Sequence, residues 1–210
     1  MSAIRLRSTL FLLMLALAGA AYGRGATPKE LVVNLKFKPQ EEVHSSTANI
    51  PPSMLEKSVA IHIVEKRNES DAKVIGQGTG GDDKTFPIKA AADIKPFLEE
   101  TLESVAKSFG LKVSEKGGDR TLVVTVTRFF IDEGNKALGS VYSSEVKLAY
   151  TLKTSGGKTL TEGATTGSAH RYGRAHSEQN INEVLSDALK EAFANVLDES
   201  KLQDAWAGKK

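Results

Sequence analysis

Glu145-Val146-Lys147-Leu148-Ala149-Tyr150-Thr151-Leu152-Lys153 is the stretch that decides how this chain folds. Val146, Leu148, Tyr150 and Leu152 fall at every second position, and Glu145, Lys147, Ala149, Thr151 and Lys153 fill the places between. Successive strand side chains point to opposite faces, so this strand has one dry and one wet face. That pattern belongs to an antiparallel sheet covered on a single side. Downstream, Ser155-Gly156-Gly157-Lys158 supplies a hairpin turn into a threonine-rich strand, Thr159 to Ala169. Upstream, Leu122 to Ile131 alternates in the same way, with Leu122, Val124 and Val126 opposite Val123, Thr125 and Thr127.

Two segments switch to the helical period. Ile181, Val184, Leu185, Ala188, Leu189, Ala192, Phe193, Val196 and Leu197 form one apolar stripe, opened by Asn180 and Glu183 in the manner of a capping box. Ile94, Phe97, Leu98, Leu102, Val105, Ala106 and Phe109 form another, with Asp93 as N-cap, Pro96 in the first turn and Gly110 as the stop. Val59 to Val64 reads as a covered strand, Leu31 to Phe37 and Leu111 to Val113 as shorter ones, and Lys66 to Lys84 as a long loop. The order β, β, α, β, β, β, β, α predicts an α+β fold, a mainly antiparallel sheet with two amphipathic helices packed on one face.

The 210 residues suffice for one core and include no cysteine, which excludes disulfides, thiolate metal sites and cysteine nucleophiles. Arg5 and Arg7 precede a continuously apolar run from Leu10 to Leu17, and small residues follow at Ala18-Gly19-Ala20 and Ala21-Tyr22-Gly23. This is the arrangement of a signal peptide, cleaved after Gly23 or Ala20, and its core is shorter than a membrane span. Removing residues 1–23 takes away both surplus positive charges of the +2 chain and leaves a formally neutral product. Neutrality argues against a nucleic-acid partner. The expected organisation is a signal peptide at 1–23, an N-terminal strand and linker at 24–57, an α+β domain at 58–200 and a polar tail at 201–210. The expected destination is the periplasm or the exterior.

Few residues suggest chemistry. Gly76-Gln77-Gly78-Thr79-Gly80-Gly81 spells G-x-G-x-x-G, but Asp82, Asp83 and Pro87 stand where a phosphate-binding helix would open, so the stretch reads as a flexible loop. His170-Arg171-Tyr172-Gly173-Arg174-Ala175-His176 gathers two of the four histidines beside two arginines. His170, Arg171, Tyr172, Arg174 and His176 form a candidate ligand or anion site ahead of a helix N-terminus; a polar connector at the sheet rim accounts for the same residues. The six-residue spacing of the histidines matches no metal motif, and no serine lies in a G-x-S-x-G elbow. No cofactor, metal or catalytic residue is expected.

The strand Val59-Ala60-Ile61-His62-Ile63-Val64-Glu65-Lys66-Arg67, the isolated Val74-Ile75-Gly76, the helix from Phe97 to Phe109 followed by Gly110-Leu111-Lys112-Val113, the strand from Leu122 to Phe130 and the closing hairpin and helix resemble the YajG-type family of bacterial envelope lipoproteins. Glu65, Arg67 and Gly76 are the motif residues of that resemblance, with Glu65 in the place of an aspartate. The resemblance implies an envelope-located α+β domain and no catalytic residues; with no lipobox cysteine, no lipid tether is expected. The function expected is therefore a non-enzymatic binding or assembly module, whose wet face, including Thr125, Thr127, Glu145, Lys147 and Thr151, is open to an envelope protein, a glycan or a second copy. The alternatives are an envelope hydrolase using the His170 to His176 segment and a small-ligand carrier with a pocket between helices and sheet.

Overall fold

In chain order the elements are β1 (Leu31–Val33), α1 (Pro52–Leu55), β2 (Ser58–Glu65), β3 (Val74–Thr79), β4 (Thr85–Ala90), α2 (Ile94–Ser108), β5 (Lys112–Val113), β6 (Arg120–Lys136), β7 (Gly139–Thr154), β8 (Thr159–Gly173), α3 (Glu178–Asp198) and α4 (Ser200–Ala207). The structure is a computed structural model that describes residues 27–40, 48–115 and 117–208; the expected signal peptide at 1–23 lies outside the described residues. The strands form one open, mixed sheet of eight.

Its longest ladders are antiparallel, as the alternation predicts. β7 pairs with β6 from Arg120↔Thr154 to Lys136↔Gly139, and with β8 from Ser140↔Gly173 to Lys153↔Thr159. Gly157 takes φ +83° in the turn between β7 and β8, a conformation glycine reaches without a Cβ clash. A bulge between Val126 and Arg128 shifts the register of β6 by one residue. Beyond it the odd-numbered Phe129, Ile131 and Glu133 take the dry face that Leu122, Val124 and Val126 occupy before it.

The other edge of β6 is divided between two parallel partners. β2 takes Arg120 to Val126, and β3 takes Ile131 to Glu133. From β2 the sheet continues in parallel to β5; from β3 it continues antiparallel to β4 and then parallel to β1. The sheet is thus less purely antiparallel than expected.

Three local expectations are corrected. The stretch from Lys66 to Lys84 contains β3, and the Gly76 to Gly81 run lies in and just after that strand. Its glycines mimic a loop in sequence but serve close packing, since a Cβ on Gly76 would stand 2.1 Å from the Ile131 carbonyl oxygen and one on Gly78 2.2 Å from the Phe86 ring. Helix α3 starts earlier than Asn180: Ser177 is its N-cap and accepts from the Asn180 N–H at 3.3 Å. The polar tail is a helix, α4, with Leu202 and Trp206 fully buried, because those two apolar residues share one of its faces. For α2 the expected cap holds, Asp93 accepting from the Lys95 N–H at 3.1 Å, and Gly110 follows at φ +83°.

Helix contacts fall on the dry residues of the sheet. Phe97 of α2 meets Phe129 at 6.1 Å between ring centres. Ser144 donates to the Val184 carbonyl of α3 at 2.9 Å, and Thr165 to that of Ala192 at 2.9 Å. On β8 the inward residues are mostly small, and α3 lies against its backbone. Two side chains of α3 then reach the outer edge of β8: Asn195 donates to the Thr166 carbonyl at 2.9 Å, and Glu191 accepts from the Ser168 N–H at 2.8 Å.

A Cβ on Gly167 would lie 2.2 Å from the Ala188 carbonyl oxygen and 2.3 Å from the Ala192 nitrogen, with backbone on both sides and no flexible group to yield. Gly167→Ala is therefore expected to lower stability by about 2–3 kcal/mol in urea unfolding. An unchanged midpoint would show that α3 does not rest on β8 there.

Candidate functional site

The segment from His170 to His176 runs from the end of β8 into α3, and the alternation of β8 disperses its side chains. His170 and Tyr172 point outward, Tyr172 being 56% exposed. Arg171 points inward and forms an ion pair with Glu183, a largely buried residue of α3. The Arg174 carbonyl accepts from the Tyr142 hydroxyl at 2.5 Å and from Asn180 Nδ2 at 3.2 Å. His176 has φ +53° and stays exposed at the rim, and its ring meets Phe86 edge-on at 5.2 Å. His170 and His176 thus lie on opposite faces of the sheet, and no group of three metal-ligating side chains occurs among the described residues.

The polar centre of this corner is Glu133, only 1% exposed. Its Oε1 accepts from Ser140 Oγ at 2.8 Å and from the His176 N–H at 2.7 Å, and stands 3.2 Å from the Tyr142 hydroxyl. The ring nitrogen Nδ1 of His176 lies 3.2 Å from the same oxygen. A buried carboxylate is tolerated only where donors surround it, and here they do. The Tyr142 hydroxyl in turn accepts from the Ser177 N–H at 3.0 Å, which ties the N-cap of α3 to β7. Burial pushes the Tyr142 phenol up to about 12, and the neighbouring Glu133 carboxylate acts in the same direction. The arrangement fixes the strained backbone of His176 and the start of α3. It holds a histidine against a carboxylate, but no nucleophile stands in line with the pair among the described contacts.

Sequence reasoning passed over Glu133, Ser140 and Tyr142, although a signal was available. Continuing the alternation back from Val146 places Ser144, Tyr142 and Ser140 on the dry face, which is the signal for the last two, whereas strict alternation from Leu122 puts Glu133 on the wet face.

Glu65 and Arg67 meet in a joint between strands, and Gly76 lies two residues beyond it on β3, against Ile131. The Arg67 side chain is 2% exposed and binds Glu65 Oε1 through Nε at 2.9 Å and Nη2 at 2.7 Å, the Val74 carbonyl through Nη1 at 2.6 Å, and the Ala72 carbonyl. This clamp fastens the end of β2 to the start of β3, and Gly76 lets β3 approach β6. Two adjoining hollows of about 280 and 380 Å³ lie between residues 34–37 and α2, sharing Leu35, Phe97 and Glu100.

An open mixed sheet with helices on its dry face and a structural polar corner defines the class of this protein. The chain belongs to the family described as Uncharacterized lipoprotein, whose sequence profile matches residues 46–206; this is the YajG-type family. Membership supports an envelope location, and the family description attaches no enzymatic activity. No helix among the described residues is long and apolar enough to cross a membrane. No curated protein matches the chain. Among solved structures it is similar to a protein from Xanthomonas campestris at 12% identity, TM-score 0.46, over 85% of this chain and 96% of that one. It is also similar to the PelC dodecamer of Paraburkholderia phytofirmans at 14% identity, TM-score 0.38, over 70% and 86% of the two chains. A minor lipoprotein from Acinetobacter baumannii follows at 12% identity, TM-score 0.33, over 67% and 92%.

Glu133→Ala strands the Ser140 hydroxyl and the His176 amide, and is expected to destabilise the fold by about 3 kcal/mol, whereas the exposed His170→Ala changes it by less than about 0.5 kcal/mol. Urea unfolding of the two variants checks this; equal effects would remove Glu133 from its central position. For Tyr142 the protonated form is the neutral one. With its folded value above the ordinary 10.0, the unfolded chain loses that proton first. Its stabilisation is complete below pH 10 and declines as pH rises through about 12. Tyr142→Phe is therefore expected to flatten the alkaline fall in stability over that range, as measured by unfolding at successive pH values.

Proposed function

We propose that this chain is a non-enzymatic binding or assembly module of the bacterial cell envelope, exported by its N-terminal signal peptide into the periplasm or beyond, and free of a lipid tether. The observation that carries this reading is the outward face of β6, β7 and β8. Thr127, Lys147, Thr166, Ser168, His170 and Tyr172 are exposed there; the packing of α2 and α3 falls on the alternate, inward residues, and α3 reaches only the main chain of Thr166 and Ser168. The face is broad, hydrogen-bonding and balanced in charge. Glu145 is shared between Arg128 at 2.6 Å and Lys147 at 3.2 Å, and the Arg128 guanidinium lies 4.6 Å over the Phe130 ring. Surface pairs of this kind contribute little to stability, so their side chains are available to a polar protein surface or a glycan.

A second reading, an envelope hydrolase, has the contact of His176 with buried Glu133 in its favour. It requires turnover that disappears in the His170→Ala/His176→Ala double variant.

With the chain as bait, envelope extracts are expected to yield a partner that the Thr125→Arg/Thr151→Arg variant, folded by circular dichroism, fails to recover; equal recovery by both sinks the role of this face. Mass spectrometry of the exported product is expected to begin at Arg24 or Ala21, and an intact Met1 would refute cleavage.

A further inference from the structure

Residues 27–40 precede the stretch matched by the family profile, yet they are docked on it by a built set of contacts. Thr27 donates to Asp82, and Glu30 pairs with Lys89 at 3.2 Å. β1 then adds to β4 in parallel, from Leu31↔Ile88 to Val33↔Ala90. Beyond β1 the chain stays extended and lies along α3, whose polar side chains read its backbone at alternate residues. The N–H groups of Lys36, Lys38 and Gln40 donate to Asn182 Oδ1 at 2.9 Å, Ser186 Oγ at 2.8 Å and Asp187 Oδ1 at 2.8 Å. Asn182 Nδ2 returns a bond to the Asn34 carbonyl at 3.0 Å.

Asn182 and Ser186 are 3% and 0% exposed, on a helix whose other buried positions are largely apolar, and the partners just named are the backbone of this arm. Polar residues at buried helix positions are explained by what they bind. The arm alternates to match: Leu31, Val33, Leu35 and Phe37 turn toward the domain, while Val32, Asn34, Lys36 and Lys38 face outward.

We propose that the β4 edge and the polar stripe of α3 form a docking groove for an extended, alternately apolar peptide, and that its occupant in trans is residues 31–40 of a second copy of this chain. The recognition is a strand addition prolonged along a helix. The contacts along residues 31–40 are available to the same segment of another molecule, because the β4 ladder and the bonds from Asn182, Ser186 and Asp187 go to its main-chain atoms. Each copy offers one arm and one groove, so reciprocal exchange closes into a two-fold pair. The covalent tether favours the chain's own arm at low concentration, and exchange grows as protein concentration approaches the effective concentration of the tethered arm. The groove shares no residue with the outward face of β6 to β8, so either proposal can fail without the other.

The test uses the full chain and a fluorescent peptide of residues 28–40. Lys36→Pro/Lys38→Pro removes two arm N–H donors while altering only exposed side chains, and so frees the groove. The peptide is expected to bind this variant at least tenfold more tightly than the unaltered chain, whose own arm competes, and to lose that binding when Asn182→Ala/Ser186→Ala is added. In sedimentation, the unaltered chain is expected to populate a dimer as concentration rises, and the proline variant is not. A folded proline variant that binds no peptide at 1 mM overturns the groove, as does binding that survives loss of Asn182 and Ser186. A chain that stays monomeric up to 1 mM overturns the second copy as occupant. If the proline variant does not fold, amide exchange in the unaltered chain decides: the Lys36, Lys38 and Gln40 amides are expected to exchange at least a hundredfold faster than those of β7, and exchange at the rate of β7 makes the arm a fixed part of the core and overturns the proposal.

Discussion

β6 is seventeen residues long, and its edge opposite β7 is shared end to end by two parallel strands. Such a division needs a break in the pleat and a means of joining the two partners. The bulge after Val126 supplies the first, turning β6 where β2 ends and keeping Phe129 and Ile131 on the dry face. The Arg67 guanidinium supplies the second by holding Glu65 at the end of β2 and the carbonyls of Ala72 and Val74 at the start of β3. A residue with five fixed donors suits that position, and lysine does not offer the same fork. Gly76 completes the joint by letting the β3 backbone come up to Ile131. The three residues that carry the resemblance to the envelope lipoproteins are therefore the residues that let one long strand serve two neighbours. Their presence speaks for the fold and is silent about activity.

How much of this was readable in the sequence depended on whether one periodicity ran undisturbed. β7 and α3 were plain, because their apolar residues keep a single period over most of their length. β3 was hidden by Gly76 and Gly78, which resemble loop residues until the neighbours they accommodate are seen. β4 was hidden by its short length and by Pro87 within it. In β6 the bulge moves the dry face from even to odd numbers, so a reading in strict register cannot follow the strand to Glu133. The 170–176 cluster was visible as a concentration of polar residues, but strand alternation separates what proximity in sequence joins. Arg171 turns inward to Glu183, His176 touches Glu133 from the exposed rim, and His170 and Tyr172 face water.

Most of the polar groups of the interior share a location, Thr101 on α2 and the Tyr150 hydroxyl against Glu199 standing apart. Glu133, Ser140, Ser144 and Tyr142 on the sheet, with Asn182, Glu183 and Ser186 on α3, lie toward the N-terminal half of that helix, where β8 gives way to it and the arm crosses it. The far half of α3 is packed mostly by apolar residues, among them Phe193, Val196 and Leu197. Apolar packing is tolerant of small slips, whereas hydrogen bonds between buried groups are directional. The polar end therefore sets the register of the helix on the sheet, and the apolar end supplies most of the burial energy.

β8 has β7 on one side and, among the described residues, no strand on the other, and a fifteen-residue border of that kind would ordinarily invite further strands. Asn195 and Glu191 occupy the middle of it, taking the Thr166 carbonyl and the Ser168 amide out of circulation. An incoming strand would find its ladder interrupted halfway and would have to displace a helix to repair it. The border thus behaves as a sealed seam, and a crowded solution of this protein is protected along this margin from the sheet-to-sheet growth that leads to fibres.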